Sequence, residues 1–147
     1  MKRFEFTLEL IRQYREEQLA IEKIRLERLS AEKSLIEQSR ALLEREAAES
    51  AAIVSRASSV DAIELQAVDA FRRHAIAQRI VFAKRLAGCD RRIEAQQRQL
   101  LEARRRCELL ARLKDRKLKA WNEEFARELE LQAGESYLAK WNAGQRS

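Results

Sequence analysis

The side chains best equipped for chemistry in this chain are Cys89, Cys107, His74 and a run of cations between Arg98 and Lys119. The cysteines stand 18 residues apart, which on one helix is five turns, one face and about 27 Å of separation. A disulfide needs Cα atoms within about 7 Å, so the expectation is two buried thiols in a reducing compartment. One histidine excludes paired-histidine metal cages and acid–base pairs, and His74 reads as a turn or surface residue. No C-x-x-C, G-x-x-x-x-G-K-[ST] or G-x-G-x-x-G occurs, and each of those spacings is what its chemistry requires. The 24 carboxylates have no visible means of desolvation, which a useful pKa shift demands. The chain is therefore expected to have no catalytic residue, no cofactor, no metal and no small-molecule substrate.

The cations suggest recognition instead. Between Arg98 and Lys119 nine basic residues face three acidic ones, a net +6 that equals the formal charge of all 147 residues. The basicity is thus local and suits an acidic protein surface. Nucleic acid is not an expected partner. A basic-region zipper needs leucines every seven residues beyond Arg104-Arg105-Arg106, but counting from Leu110 gives Lys117, Glu124 and Leu131. No aromatic platform for stacking bases accompanies the run either.

The elements that carry these residues follow from what the chain lacks. It has no proline and three glycines, while 37% of its residues are charged. Turns draw on Pro and Gly, whereas Ala, Leu, Glu, Arg, Lys and Gln lose least on entering a helix. Long helices with a coiled-coil composition result. Leu8, Ile11, Leu19, Leu26, Leu29, Ile36, Leu43 and Ala47 form a heptad-like stripe. A second set, Leu10, Tyr14, Ile21, Ile24, Leu35 and Leu42, packs on a third element or awaits a partner. Further on, Leu86, Ile93, Leu100 and Cys107 are spaced by seven, and Leu118, Trp121 and Phe125 keep three- and four-residue steps. Trp121 is expected in the seam, and Trp141 belongs to a fraying end.

Between Ala47 and Ser59 long side chains give way to Ala and Ser, and Ser58 with Asp61 fits an N-cap pattern. The expectation is all-α: an antiparallel two-helix coiled-coil hairpin with a short helix near the turn. A helix over about 3–55 would lead to a turn and short helix over about 56–75, bending again near His74. A helix over about 76–140 and a disordered tail over about 141–147 would follow. In this two-step reversal the arms nearly match in length. The opening Met1-Lys2-Arg3-Phe4-Glu5-Phe6 lacks an apolar signal region, and no apolar stretch is long enough to span a bilayer. A soluble intracellular protein is expected.

Phe4-Glu5-Phe6-Thr7-Leu8-Glu9 followed by Tyr14-Arg15-Glu16-Glu17 resembles the opening of the flagellar export protein FliJ family. The stretch from Ala103 to Lys117, with Arg104-Arg105-Arg106 and Leu110-Ala111-Arg112-Leu113-Lys114, is similar to that family's second signature. The resemblance implies a non-enzymatic central stalk of the type III export apparatus, an antiparallel coiled coil. The stalk inserts into the hexameric export ATPase, reaches toward the membrane export gate and assists export chaperones. It would be a monomer when isolated, cytoplasmic, and peripheral at the inner face of the membrane at the flagellar base. On this expectation Arg104, Arg105, Arg106, Arg112, Lys114, Arg116 and Lys117 engage the ATPase. Gln38, Leu42, Phe71 and His74, near the turn, face the cytoplasmic domain of the gate protein. The equivalent stalk of a virulence injectisome and a homodimeric coiled-coil scaffold are the rival readings.

Overall fold

Residues 2–146 are described by a computed structural model, which is all-α. Helix α1 runs over Glu9–Arg56 (48 residues) and helix α2 over Ala62–Arg146 (85 residues). The two pack antiparallel, and the chain divides into two compact units. Unit 1 combines residues 2–19 with 102–146, and unit 2 is the continuous stretch Ala20–Leu101.

The reversal is simpler than the sequence suggests. One loop over 57–61 joins the helices, with no separate short helix and no break at His74. Asp61, not Ser58, caps α2: its Oδ1 accepts from Ile63 N at 3.4 Å, and its carbonyl accepts from Leu65 N at 3.0 Å. An N-cap carboxylate at the positive end of the helix satisfies an orphan donor. Once started there, α2 meets neither proline nor any run of poor helix formers, so nothing interrupts it. It remains helical through Arg146, so the tail expected over 141–147 is absent as far as that residue. Ser147 lies outside the described residues.

In unit 2 the seam of α1 runs through Glu22, Leu26, Leu29, Lys33, Ile36, Leu43, Ala47, Ser50 and Val54, all buried or half-buried, by steps of four and three except for one of seven from Ile36 to Leu43 past the exposed Arg40. On α2 it runs through Phe71, Ala75, Gln78, Phe82, Leu86, Cys89, Ile93, Gln96 and Leu100. The extra four-residue step from Phe82 to Leu86 is a stutter, which locally unwinds a heptad coil. Only Leu43, Ala75 and Cys89 are fully buried among the described residues. Such thin burial is what two helices meeting along one line provide.

Polar side chains in and beside the seam fix its register. Gln96 Nε2 donates to the Glu22 carbonyl at 3.1 Å and also to the Glu22 carboxylate. Lys33 pairs with Asp90 at 2.7 Å, Glu32 with Arg92 at 3.1 Å and Glu44 with Arg79 at 2.6 Å. The Asp90 carboxylate holds the Lys33 ammonium above its ordinary pKa, and the Arg79 guanidinium holds Glu44 below the usual carboxylate range. A slip by one heptad breaks all of these pairs together.

Unit 1 begins differently. Residues 2–6 are not helical, and over 3–8 exposure alternates, with Phe4, Phe6 and Leu8 half-buried. That period of two belongs to an extended chain. F-x-F-x-L is therefore a strap, not the first turn of a helix. A turn in which Glu9 N donates to Phe6 O (3.1 Å) starts α1.

Candidate partner-binding surfaces

The strap is pinned by one indole. Trp121 Nε1 donates to the Lys2 carbonyl at 3.1 Å, the Phe4 ring lies tilted with its centroid 6.2 Å away, and Phe125 stacks parallel at 5.2 Å. Such a hydrogen bond contributes about 1 kcal/mol net and each aromatic contact about 1 kcal/mol more. Beside the strap Glu9 accepts from Arg12 (2.5 and 2.9 Å) and pairs with Lys114 at 3.0 Å. The Arg12 guanidinium, then Lys114, lowers the Glu9 carboxyl to about 2. Trp121 is level with Lys2, so within unit 1 the helix continues well past the strap. The matched arms expected from a two-step reversal are not found, because the chain turns back in a single loop near residue 59. Residues 129–146 are exposed throughout, Trp141 included.

The seven cations assigned to the acidic partner do not form one cluster. Arg104, Arg105, Arg106, Arg112, Arg116 and Lys117 are exposed, with Arg106 paired to Glu102 at 3.2 Å. Lys114 faces the seam and is engaged by Glu9. Arg104, Arg105 and Arg106 point in three directions, since consecutive helical residues turn by about 100°. The row that sequence reasoning missed is Arg105, Arg112 and Lys119 in unit 1, spaced by seven opposite the seam and exposed. In unit 2 Lys84, Arg91 and Arg98 have the same spacing and exposure. The signal is present in the sequence as basic residues recurring by sevens.

The residues assigned to the gate separate as well. Gln38 and Leu42 sit on the outer side of α1, and His74 is exposed. Phe71 is half-buried, its ring 6.3 Å from that of His74. It lines a cleft of about 320 Å³ with Ala47, Ser50, Ala51 and Ala75, where small side chains leave the helices under-filled. Because Glu44 pairs with Arg79, Leu42 lies level with residue 81, about 15 Å along α2 from Phe71. One compact patch of the four is not what the fold builds.

Cys89 is buried and Cys107 half-buried, both as thiols. Arg92 Nη2 approaches Cys89 Sγ at 3.4 Å. Among the described residues no group of three or more His, Cys, Asp or Glu is placed to hold a metal, and no helix is long and apolar enough to cross a membrane.

The second apolar set is exposed. Ile24, Leu35 and Leu42 are 48%, 64% and 53% accessible, and Leu10 and Tyr14 in unit 1 are exposed too. Among the described residues no third element covers them, since the stretch expected to form a short helix is part of α2. The α1 seam itself differs from the expected stripe at Ile11, which is exposed while Arg12 turns inward.

Comparison with known proteins finds no matching family model, no similar curated protein and no similar solved structure. What these surfaces do is therefore argued from their chemistry.

Proposed function

We propose that this chain is a non-enzymatic central stalk of the flagellar type III export apparatus, joining the hexameric export ATPase to the membrane export gate and assisting export chaperones. The observation that carries the reading is the coincidence of the two motif regions in one place. The F-x-F-x-L strap lies against Trp121, just beyond the basic segment. An exposed cationic helix beside an aromatic clasp suits an acidic, partly apolar socket, and charge complementarity sets both encounter rate and orientation. Arg104, Arg105, Arg106, Arg112, Arg116 and Lys117 supply the charge on this reading, while Lys114 holds the strap end through Glu9. The gate-facing role falls to Gln38, Leu42, Phe71 and His74 as two separate contacts. The protein would act in the cytoplasm, at the inner face of the membrane at the flagellar base.

The test is a pull-down against the export ATPase hexamer with the wild-type chain and with Arg104, Arg105 and Arg106 all changed to Glu. Loss of binding with helical circular dichroism retained is expected. Unaltered binding removes the docking role of the basic segment. The injectisome reading is separated by repeating the pull-down with an injectisome ATPase. Sedimentation separates a homodimeric scaffold, which would double the mass.

A further inference from the structure

We propose that the outer row of α1 in unit 2 is a second coiled-coil seam, shaped to receive one amphipathic α-helix of another chain that carries a carboxylate opposite Arg28. The inference stands on this row alone and does not depend on the export reading. Ile21, Ile24, Arg28, Ala31, Leu35, Gln38 and Leu42 follow one another by steps of three and four without a slip, and all seven are exposed. They form a line of their own beside the seam residues Glu22, Leu29, Ile36 and Leu43, which face α2.

Spacing identifies the form of the occupant. A three–four step held over 22 residues keeps apolar side chains on one line only for a partner that winds along the helix with the same repeat. A pocket receiving one or two anchor residues imposes no such periodicity over about 30 Å. A membrane surface fits poorly, because the flanks carry Glu27 and Glu32 with Arg25 and lack the cationic rim of interfacial helices.

Charge identifies the occupant further. Arg28 interrupts the row and makes no ion pair among the described residues, while Glu32, its neighbour one turn on, is taken by Arg92 at 3.1 Å. A cation at a seam position is tolerated when the facing helix supplies a carboxylate. The facing row of a second copy supplies none, since it holds no Asp or Glu. Pairing the row with itself in parallel sets Arg28 against Arg28. The antiparallel pairing sets it against Leu35, whose neighbours are Ala31, Ser34, Gln38, Ser39 and the engaged Glu32. A different chain meets the requirement.

The test uses the whole chain and two synthetic four-heptad helical peptides with Leu at both seam positions, identical except for Glu or Lys at one central position. Fluorescence anisotropy of the labelled peptides is expected to show the Glu peptide binding about tenfold more tightly. Leu35→Asp should abolish binding with helicity unchanged, because the side chain is exposed, and Arg28→Glu should reverse the preference. Failure of both peptides to bind overturns the proposal, as does equal binding that Leu35→Asp leaves intact. A chain dimer in sedimentation that Leu35→Asp disperses also overturns it, assigning the row to a second copy.

Discussion

Within unit 2 the two helices share an inner face and differ on the outside. α1 presents Ile21, Ile24, Leu35 and Leu42 to solvent, whereas α2 presents Lys84, Arg91 and Arg98 at the same seven-residue period. Neither row stabilises the unit much: exposed leucines bury little area, and isolated surface cations contribute little. What holds the helices together is the line through Leu43, Ala75 and Cys89 with its polar pairs. Two helices that spend one face on each other leave the opposite faces to solvent. Here those faces differ in chemistry, one apolar and the other cationic.

The contrast between inner and outer positions is easiest to break at two adjacent leucines. Leu43 is 6% exposed and Leu42 is 53% exposed. Leu43→Ala should cost about 2–3 kcal/mol in denaturant unfolding, and Leu42→Ala less than about 0.5 kcal/mol. Equal losses would mean that the seam is misplaced by a residue. A smaller effect is expected at the other end of the chain. Phe4→Ala in a Trp141→Phe background should release the strap and raise acrylamide quenching of Trp121 about twofold, since quenching follows exposure of the indole, with global stability reduced by about 1 kcal/mol. Unchanged quenching would show that the strap does not lie on Trp121 in solution.

Acid sharpens the difference between the units. Glu9 is held at about 2 in the folded chain against an ordinary 4.5. A depressed carboxyl adds stability that is complete above its unfolded pKa and is lost as pH falls through the folded one. Stability should therefore decline from about pH 4.5 toward pH 2, and Glu9→Gln should flatten that part of the profile. Exposure and salt keep the effect small, and an identical profile in the variant would contradict it. Smallest of all is the Glu44–Arg79 pair at 2.6 Å. A double-mutant cycle should give a small favourable coupling that falls with added salt.

Much of the fold is legible in the sequence because helix-forming composition and heptad spacing are local properties. Leu86, Ile93, Leu100 and Cys107 occupy the seam as their spacing requires. The polar seam members Glu22, Lys33 and Gln96 are not legible in that way. Their burial depends on a partner more than 50 residues away, which apolar periodicity does not register. The loop is not legible from local sequence because Ser58 and Asp61 both suit a cap, and the choice follows from where the helices meet. The strap illustrates the opposite failure. Phe4, Phe6 and Leu8 alternate, a period-two signal present in the sequence but overshadowed by the helical run that follows.

Paired binding measurements on one set of variants test most directly whether two outer faces serve two partners. On the proposed function, Arg105, Arg112 and Lys119 changed together to Glu should weaken binding to the export ATPase hexamer at least about tenfold while leaving the Glu-bearing peptide bound. Leu35→Asp should abolish peptide binding and leave the ATPase complex intact. If both variants lose both partners, or neither variant loses either, the two faces do not act separately and the account is contradicted.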